Sequence, residues 1–306
     1  MRVKRTRPEP SRARSLDALA VGHGKRVRLW RLLYGSGPRN GTLLVLPLDQ
    51  GLEHGPGDFF PNPPALATDF QFRLAVEGSY SAIALGIGLA EKYMREHCGR
   101  VPLILKLNGK TNIPDDAEAR SPLFASVEDA VRLGADAVGY TLYVGSPRQA
   151  EELRQCGEVR RDCERLGMPF VMWSYPRGAA IEAKGGRGTL YAADYAARVA
   201  EELGADIVKL HEPEPTNERC PEPYRSLREG ASARTRRVVR SAGRTLVLFS
   251  GGEKQDDDAA VLRKLRFYME CGATGVMFGR NMWLRRFEDG LALTRAAHRI
   301  LRRFSR

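Results

Sequence analysis

A lysine at the end of a short apolar run is the residue best placed to do chemistry in this sequence. The run covers residues 205–210, reads ADIVKL and contains Lys209. The chain has 40 arginines but nine lysines, so a lysine at this position is notable. Arginine stays charged, whereas a lysine in apolar surroundings can lose its proton and attack a carbonyl group. Many strand-end lysines only reach toward solvent, so the catalytic interpretation needs support from other residues.

Three more chemically active side chains stand at or near the ends of apolar runs. Asp49 follows residues 43–48, Lys106 lies near the end of 103–107 and Tyr175 follows 169–173. Asp49 would also suit a helix cap. Two ammonium groups in one site disfavour each other's charge, so we expect the pKa of Lys106 or Lys209 to be lowered, as burial also would. Tyr175 could transfer a proton, although buried tyrosines more often only form a hydrogen bond.

Two glycine-containing segments follow the last two apolar runs and indicate a phosphate site. They are Ser250-Gly251-Gly252 and Gly279-Arg280-Asn281, which offer backbone N–H groups, a hydroxyl and a guanidinium. If the chain's eight apolar runs are the strands of a (β/α)8 barrel, these segments follow the seventh and eighth strands. Barrel enzymes commonly bind phosphate with the loops in those two places. One such segment would be an ordinary turn, but two on consecutive strands favour phosphate binding.

The apolar runs alternate with helical patterns, and this alternation predicts how the side chains are positioned. Eight runs occur, at residues 43–48, 82–85, 103–107, 135–140, 169–173, 205–210, 246–249 and 275–278. Eight apolar strands separated by helices predict an α/β fold, a (β/α)8 TIM barrel whose active site lies at the carboxyl ends of the strands. A doubly wound sheet is the alternative, but no GxGxxG motif follows the first run. Glycines 134, 204 and 272 are expected to end helices in left-handed caps.

The chain is predicted to form one domain with an extension. Residues 1–40 form a basic, partly disordered N-terminal extension, and residues 41–306 form the barrel. Six of the first 14 residues are basic. The proline-containing, highly charged segment 212–242 interrupts the alternation and is expected to form a long loop and a short helix. No role is predicted for the extension or for residues 212–224.

Composition excludes several classes of protein. The net charge of +12 could indicate nucleic acid, but aromatic residues do not alternate with the basic runs, so nucleic-acid binding is not expected. No run is long and apolar enough for a membrane span, and no secretory signal is visible, so we expect a cytoplasmic protein. Five scattered cysteines and isolated histidines match no disulfide framework and no metal-ligand spacing, so we expect neither a metal nor another cofactor.

Seven segments, in order along the chain, resemble the archaeal-type (DhnA-like) class I fructose-1,6-bisphosphate aldolases, which also occur in bacteria. They are LPLDQGLEHGP (46–56), LILKLNGKT (103–111), GADAVGYTLYVGS (134–146), MWSYPRG (172–178), LGADIVK (203–209), LFSGG (248–252) and FGRN (278–281). The resemblance implies a TIM barrel, a sugar-phosphate substrate, a homo-oligomer and a reaction that needs no metal.

The resemblance also implies residue roles. Lys209 would form the imine with the C2 carbonyl of dihydroxyacetone phosphate, Tyr175 would transfer protons, and Asp49 would assist carbinolamine formation and carbon–carbon cleavage. The two glycine-containing segments would hold the C1 phosphate.

Three further residues are expected to contact the substrate or its phosphates: His54, Arg177 and Lys106. The chain departs from many relatives at Gln50, where they have histidine, and at His211, where they often have lysine. Such changes could alter substrate preference without changing the imine chemistry.

The sequence leaves other functions open. Relatives with the same lysine include synthases of a dideoxy-heptulosonate precursor and aldolases of phosphorylated signalling sugars. The EHGP and WSYPRG segments favour the bisphosphate aldolase. A basic nucleic-acid or membrane-surface binder on a barrel scaffold would leave Asp49, Tyr175 and Lys209 unexplained.

Overall fold

Eight parallel strands close into a barrel in the order in which they occur along the chain. The structure is a computed structural model, which describes Leu16 and residues 19–305. The strands are β1 Leu43–Pro47, β2 Ala82–Gly86, β3 Leu103–Lys106, β4 Ala137–Val144, β5 Phe170–Pro176, β6 Ile207–Leu210, β7 Leu246–Ser250 and β8 Gly275–Met277. This arrangement confirms the predicted TIM barrel.

Helices connect the strands and cover the outside of the barrel. They are α1 His23–Trp30, α2 Gln50–Glu53, α3 Thr68–Glu77, α4 Ile87–Tyr93, α5 Val127–Arg132, α6 Gln149–Leu166, α7 Ala179–Ala183, α8 Leu190–Glu202, α9 Ala231–Ser241, α10 Asp258–Glu270, α11 Arg280–Trp283 and α12 Phe287–Leu301. A π-helical turn, Arg31–Gly35, follows α1. The basic segment 1–14 lies outside the described residues, and the division into an extension and a barrel at residue 40 stays a prediction.

The apolar runs correspond closely to the strands. The main difference is that β4 and β5 extend to Val144 and Pro176, so Tyr175 lies within β5 rather than after it. The predicted left-handed helix ends are confirmed, since glycines 134, 204 and 272 have φ angles of 67°, 80° and 99°. The segment 212–242 contains a short 3-10 helix, Tyr224–Ser226, and the 11-residue helix α9.

Alternation along each strand decides which side chains enter the barrel. Ile207 packs in the inner apolar cluster while its neighbour Val208 packs in the outer cluster against the helices. Because side chains alternate along a strand, Lys209 points inward two residues after Ile207. Lys106 follows Ile104 inward for the same reason. The barrel interior therefore receives both lysines at its carboxyl end.

The opposite end of the barrel is closed by the segment that precedes β1. Leu29, Leu32 and Leu33 are at most 2% exposed and join the inner apolar cluster of the barrel. Lys25 forms an ion pair with Asp206 at 2.9 Å, and Arg31 pairs with Asp136 at 3.1 Å. Each aspartate precedes a strand, so these pairs attach α1 and the π-helical turn to the amino ends of β6 and β4.

Lys25 and Asp206 are both almost completely buried. Their side chains are 3% and 7% exposed, and Asp206 also accepts a hydrogen bond from the backbone N–H of Phe170 at 2.8 Å. The Lys25 ammonium additionally donates to Glu164. A buried carboxylate in this position requires its cation, because desolvation of an unpaired charge is costly.

Within the described part of the chain, no helix has the length and apolar character that crossing a membrane requires.

We predict that Lys25→Ala lowers the free energy of unfolding by about 3–5 kcal/mol, because it leaves the Asp206 carboxylate buried without its partner. Urea denaturation followed by circular dichroism measures the change. The control is Lys92→Ala, an exposed lysine on α4, which should alter stability by less than about 0.5 kcal/mol. The double variant Lys25→Met with Asp206→Asn should recover part of the loss. Equal stability of Lys25→Ala and Lys92→Ala would contradict the prediction.

Candidate active site

A cavity of about 650 Å³ opens at the carboxyl ends of the strands. Nearly all of the residues that the sequence predicts for the site line it: Asp49, His54, Tyr175, Arg177, Lys209, Ser250, Gly251, Gly252, Gly279 and Arg280. Lys106 is the exception, since it is 1% exposed and does not line the cavity. The structure thus brings the predicted residues together from five strands and their loops.

Lys106 lies beneath the cavity and binds two carboxylates. Its ammonium donates to Asp49 Oδ2 and to Glu53 Oε1, each at 3.3 Å. Asp49 precedes α2 and Glu53 ends it, so one helical turn directs both carboxylates at the same cation. Both acids line the cavity on their other side. The position of Lys106 is that of a counter-ion for these acids rather than of a group that meets the substrate.

An indole ring lies close to both lysines. The Nζ atoms of Lys106 and Lys209 are 5.0 and 5.2 Å from the centroid of the Trp173 ring. Trp173 is fully buried and is the strand partner of Lys209 in the β5–β6 register. Gly139 makes room for this arrangement, because a Cβ atom there would lie 2.8 Å from the ring and 3.1 Å from the Lys106 side chain. An aromatic ring near two cations also attracts their charge.

The pKa of Lys209 differs from the sequence prediction. Burial lowers it, but Tyr175, Asp49 and Glu53 together outweigh burial and raise the pKa above its ordinary value. Burial would raise the pKa of Asp49, yet Lys106 and Lys209 hold it below its usual range. The prediction of a lowered pKa is therefore wrong for Lys209. The prediction considered burial and the second lysine, but not the carboxylates of Asp49 and Glu53.

Tyr175 lies next to Lys209 at the carboxyl end of β5. The Lys209 Nζ atom is 5.6 Å from the centre of the tyrosine ring, and the Arg177 guanidinium is 5.5 Å from the same centre. The phenol is therefore placed between the buried lysine and an arginine of the cavity wall. From this position, its hydroxyl can exchange a proton with a molecule attached to Lys209.

The two glycine-containing segments meet at the side of the cavity formed by β7 and β8. Asn281 joins them, since its amide group donates to the backbone oxygens of Gly251 and Glu253, each at 3.1 Å. Its Oδ1 atom accepts from the backbone N–H of Gln255 at 2.8 Å. A side chain at Gly279 would collide with Gln50, whose Nε2 atom would lie 2.7 Å from the added Cβ. These contacts hold the two segments together as one side of the cavity, here called the recess, which Arg280 also lines.

Cationic and neutral donors occupy the side formed by the loops after β5 and β6. Arg177 and Arg187 line the cavity there, next to His211. Burial, supported by the two arginines, lowers the pKa of His211 to about 4, so the imidazole is neutral at pH 7. Its Nε2 atom is buried and has no hydrogen-bond partner within the described residues. This side of the cavity can therefore offer hydrogen bonds and two guanidinium charges to a ligand.

Sequence reasoning did not assign roles to Glu53 or Arg187. Glu53 could have been found, since it stands four residues after Asp49 and a helical turn brings such residues to one face. Arg187 gave no such signal. Its importance depends on how loops from different strands meet, and this is not visible in local spacing.

Comparison with known proteins agrees with this geometry. Residues 43–285 match the profile of the DeoC/LacD family of aldolases. The class 1 fructose-bisphosphate aldolase of Thermoproteus tenax is 38% identical over 258 residues, which cover 84% of this chain and 89% of that protein.

Two solved structures are similar along most of their length. One is an archaeal fructose-1,6-bisphosphate aldolase whose catalytic lysine is covalently bound to the carbinolamine intermediate of its substrate. It is 35% identical with a TM-score of 0.76, covering 90% of this chain and 99% of that one. The other is the fructose-bisphosphate aldolase of Slackia heliotrinireducens, 26% identical with a TM-score of 0.81, covering 94% and 91%. The chain therefore belongs to the DeoC/LacD aldolases and, within them, to the archaeal-type class I fructose-bisphosphate aldolases.

Proposed function

We propose that this protein reversibly cleaves fructose 1,6-bisphosphate to dihydroxyacetone phosphate and glyceraldehyde 3-phosphate through an imine on Lys209. The observation that carries the proposal is the position of Lys209, a nearly buried lysine at the cavity wall. Tyr175 lies on the neighbouring strand β5, and the recess proposed to bind phosphate begins at the end of the other neighbouring strand, β7. Known relatives with the same fold carry this activity in their names. The predicted cytoplasmic location and homo-oligomeric state are part of the same proposal.

Bond formation at Lys209 begins the reaction. The neutral amine attacks the C2 carbonyl carbon, and proton transfer to the oxygen gives a carbinolamine. Loss of water then gives a protonated imine. Asp49 is close enough to favour the cationic nitrogen in these states, since its carboxylate already favours the Lys209 ammonium. Tyr175 is placed to exchange the protons that attack and dehydration require.

Cleavage uses the protonated imine as an electron acceptor. A base removes the proton from the C4 hydroxyl, the C3–C4 bond breaks, and its electron pair moves toward C2 to form an enamine. Glyceraldehyde 3-phosphate leaves with a new carbonyl at C4. Protonation of C3 and hydrolysis of the imine release dihydroxyacetone phosphate and restore the lysine. Asp49 and Tyr175 are the proposed proton-transfer groups.

Phosphate binding would hold the sugar in register with Lys209. Ser250, Gly251, Gly252, Gly279 and Arg280 form the recess proposed for the C1 phosphate, one carbon from the imine. His54 and Arg177, which line the same cavity, are proposed to contact the rest of the substrate. Lys106 acts by stabilising the Asp49 carboxylate.

The central prediction concerns covalent trapping. Borohydride reduction in the presence of dihydroxyacetone phosphate should attach the sugar to Lys209, and EDTA should not reduce the yield. Lys209→Met should lower kcat for fructose 1,6-bisphosphate by at least about 10³-fold, because the nucleophile is lost. Mass spectrometry of tryptic peptides locates the adduct, and coupled assays measure kcat.

Lys184→Met is the matched control, since this lysine is exposed and lies on the β5–α8 loop. It should retain both adduct and activity. An adduct on another lysine, or loss of activity on chelation, would contradict the proposed mechanism. A panel of other phosphorylated sugars, including substrates of the dideoxy-heptulosonate synthases, tests the assignment of substrate.

The raised pKa of Lys209 predicts how trapping depends on pH. Below that pKa the reactive amine increases about tenfold per pH unit, so the rate of adduct formation should rise with pH. The Glu53 carboxylate helps to raise the pKa, so Glu53→Gln should move the rising limb of the profile to lower pH. Quenched-flow trapping between about pH 6 and pH 10, below the raised pKa, compares the rising limbs of the two profiles.

Glu182→Gln serves as the control for the pH profile. Glu182 also lines the cavity but is not among the groups that raise the pKa of Lys209. Its profile should coincide with that of the wild type. A rising limb for Glu53→Gln that is unchanged or shifted to higher pH would show that the carboxylate does not hold the lysine in its charged form.

A further inference from the structure

Four charged side chains meet at the rim of the cavity: Lys110, Asp116, Arg177 and Arg187, here called the rim cluster. The Asp116 carboxylate forms ion pairs with Lys110 Nζ at 2.9 Å, with Arg177 Nε at 3.2 Å and with Arg187 at 2.8 Å. Lys110 and Asp116 belong to the loop after β3, whereas Arg177 and Arg187 follow β5. A single carboxylate therefore connects two loops through three cations.

The members of the rim cluster face different surroundings. Arg177 and Arg187 line the cavity, but neither Lys110 nor Asp116 does. The carboxylate thus contacts both guanidinium groups without lining the cavity itself. Arginine has several N–H donors in a planar fork, so contacts on one edge leave other donors available. This arrangement orients the two arginines and keeps donors free for a ligand.

Charge balance indicates which ligand the rim cluster suits. Three cations share one carboxylate, which leaves two positive charges without a partner in the cluster. A phosphate ester carries about 1.5 to 2 negative charges at neutral pH and binds arginine strongly. Neutral His211, with its unpartnered Nε2 atom, adds a hydrogen-bonding group beside the arginines.

The position of the rim cluster relative to Lys209 matches a substrate with two phosphates. Lys209 is on β6, which lies between β5 and β7 in the barrel. The rim arginines follow β5, and the recess proposed for the C1 phosphate begins at the end of β7. A sugar attached to Lys209 through C2 would therefore have the rim arginines on one side and the recess proposed for the C1 phosphate on the other.

We propose that Asp116 is a positioning residue that orients Arg177 and Arg187 for the second phosphate, and so sets the preference for a sugar bisphosphate over a monophosphate. The inference rests on the proposed function. Without the carboxylate, the three cations repel one another, and the half-exposed Arg187 side chain extends toward solvent. Binding of the second phosphate then has to bring the two arginines back into position, which weakens its affinity.

The test compares two substrates that differ only in the second phosphate. Asp116→Asn should raise KM for fructose 1,6-bisphosphate by about five- to 30-fold, the range of a lost charge-assisted contact, and leave kcat within about twofold. Both constants for fructose 1-phosphate should stay within about twofold of the wild type. Asp116→Glu should restore part of the preference. Combining Asp116→Asn with Arg187→Ala should cost less than the sum of the two separate losses, because part of the effect of Asp116 acts through Arg187.

Glu118→Gln is the matched control. Glu118 belongs to the same short 3-10 helix as Asp116, Asp116–Glu118, which lies in the loop after β3. It is exposed and contacts only Arg148, at 3.9 Å, among the described ion pairs. It should behave as the wild type with both sugars. Equal losses with the two substrates for Asp116→Asn would show a merely structural role for the loop, and no change with either would show no role. Both outcomes overturn the inference.

A binding measurement separates this inference from the proposed function. The two sugars are titrated calorimetrically into Lys209→Met, with and without Asp116→Asn. The quantity compared is the affinity for fructose 1,6-bisphosphate divided by the affinity for fructose 1-phosphate. A fall in this ratio on Asp116→Asn supports the role of Asp116, and an unchanged ratio overturns it. This comparison remains decisive even if the wild type cleaves neither sugar, which would instead overturn the proposed function.

Discussion

The barrel interior has to accommodate two lysine ammonium groups in a space that is otherwise apolar. Lys106 and Lys209 are 1% and 6% exposed, and isolated charges in such a place would be very costly. Asp49 and Glu53 offset this cost by providing two carboxylates within reach of Lys106. Their presence determines the chemistry as well as the stability of the site, because the same acids hold Lys209 in its charged form. An attack on a carbonyl therefore has to include removal of a proton from this lysine.

The closed lower end of the barrel makes the site accessible from one side. The leucines of α1 and its π-helical turn complete the inner apolar cluster, and the pairs of Lys25 with Asp206 and Arg31 with Asp136 attach this segment to the strands. Asp206 of the ion pair directly precedes β6, and Lys209 lies within this strand, three positions further along the chain.

Strand positions and the inward direction of the lysines could be predicted from the sequence, since both depend on local rules. Apolar runs predict buried parallel strands, and alternation assigns Ile207 and Lys209 to one face. The acid partners were harder to predict, because α2 is a single turn without an apolar period and Glu53 was not connected with Lys106. The contacts of Lys25 and Asp116 could not be predicted at all. They join residues far apart in sequence, through loops and helix ends whose meeting depends on the closed barrel.

The difference between the two lysines follows from their surroundings rather than from their residue type. Both point inward, both lie about 5 Å from the Trp173 ring, and both are near Asp49. Lys106, however, donates to both acids and lies below the surface of the cavity, so a substrate carbonyl cannot reach its nitrogen without displacing them. Lys209 lines the cavity and has Tyr175 beside it. One lysine thus neutralises the acids, and the other is left accessible as the proposed nucleophile. The site needs both lysines, because the Asp49 carboxylate, which is proposed to assist the imine, could not be buried without a second cation.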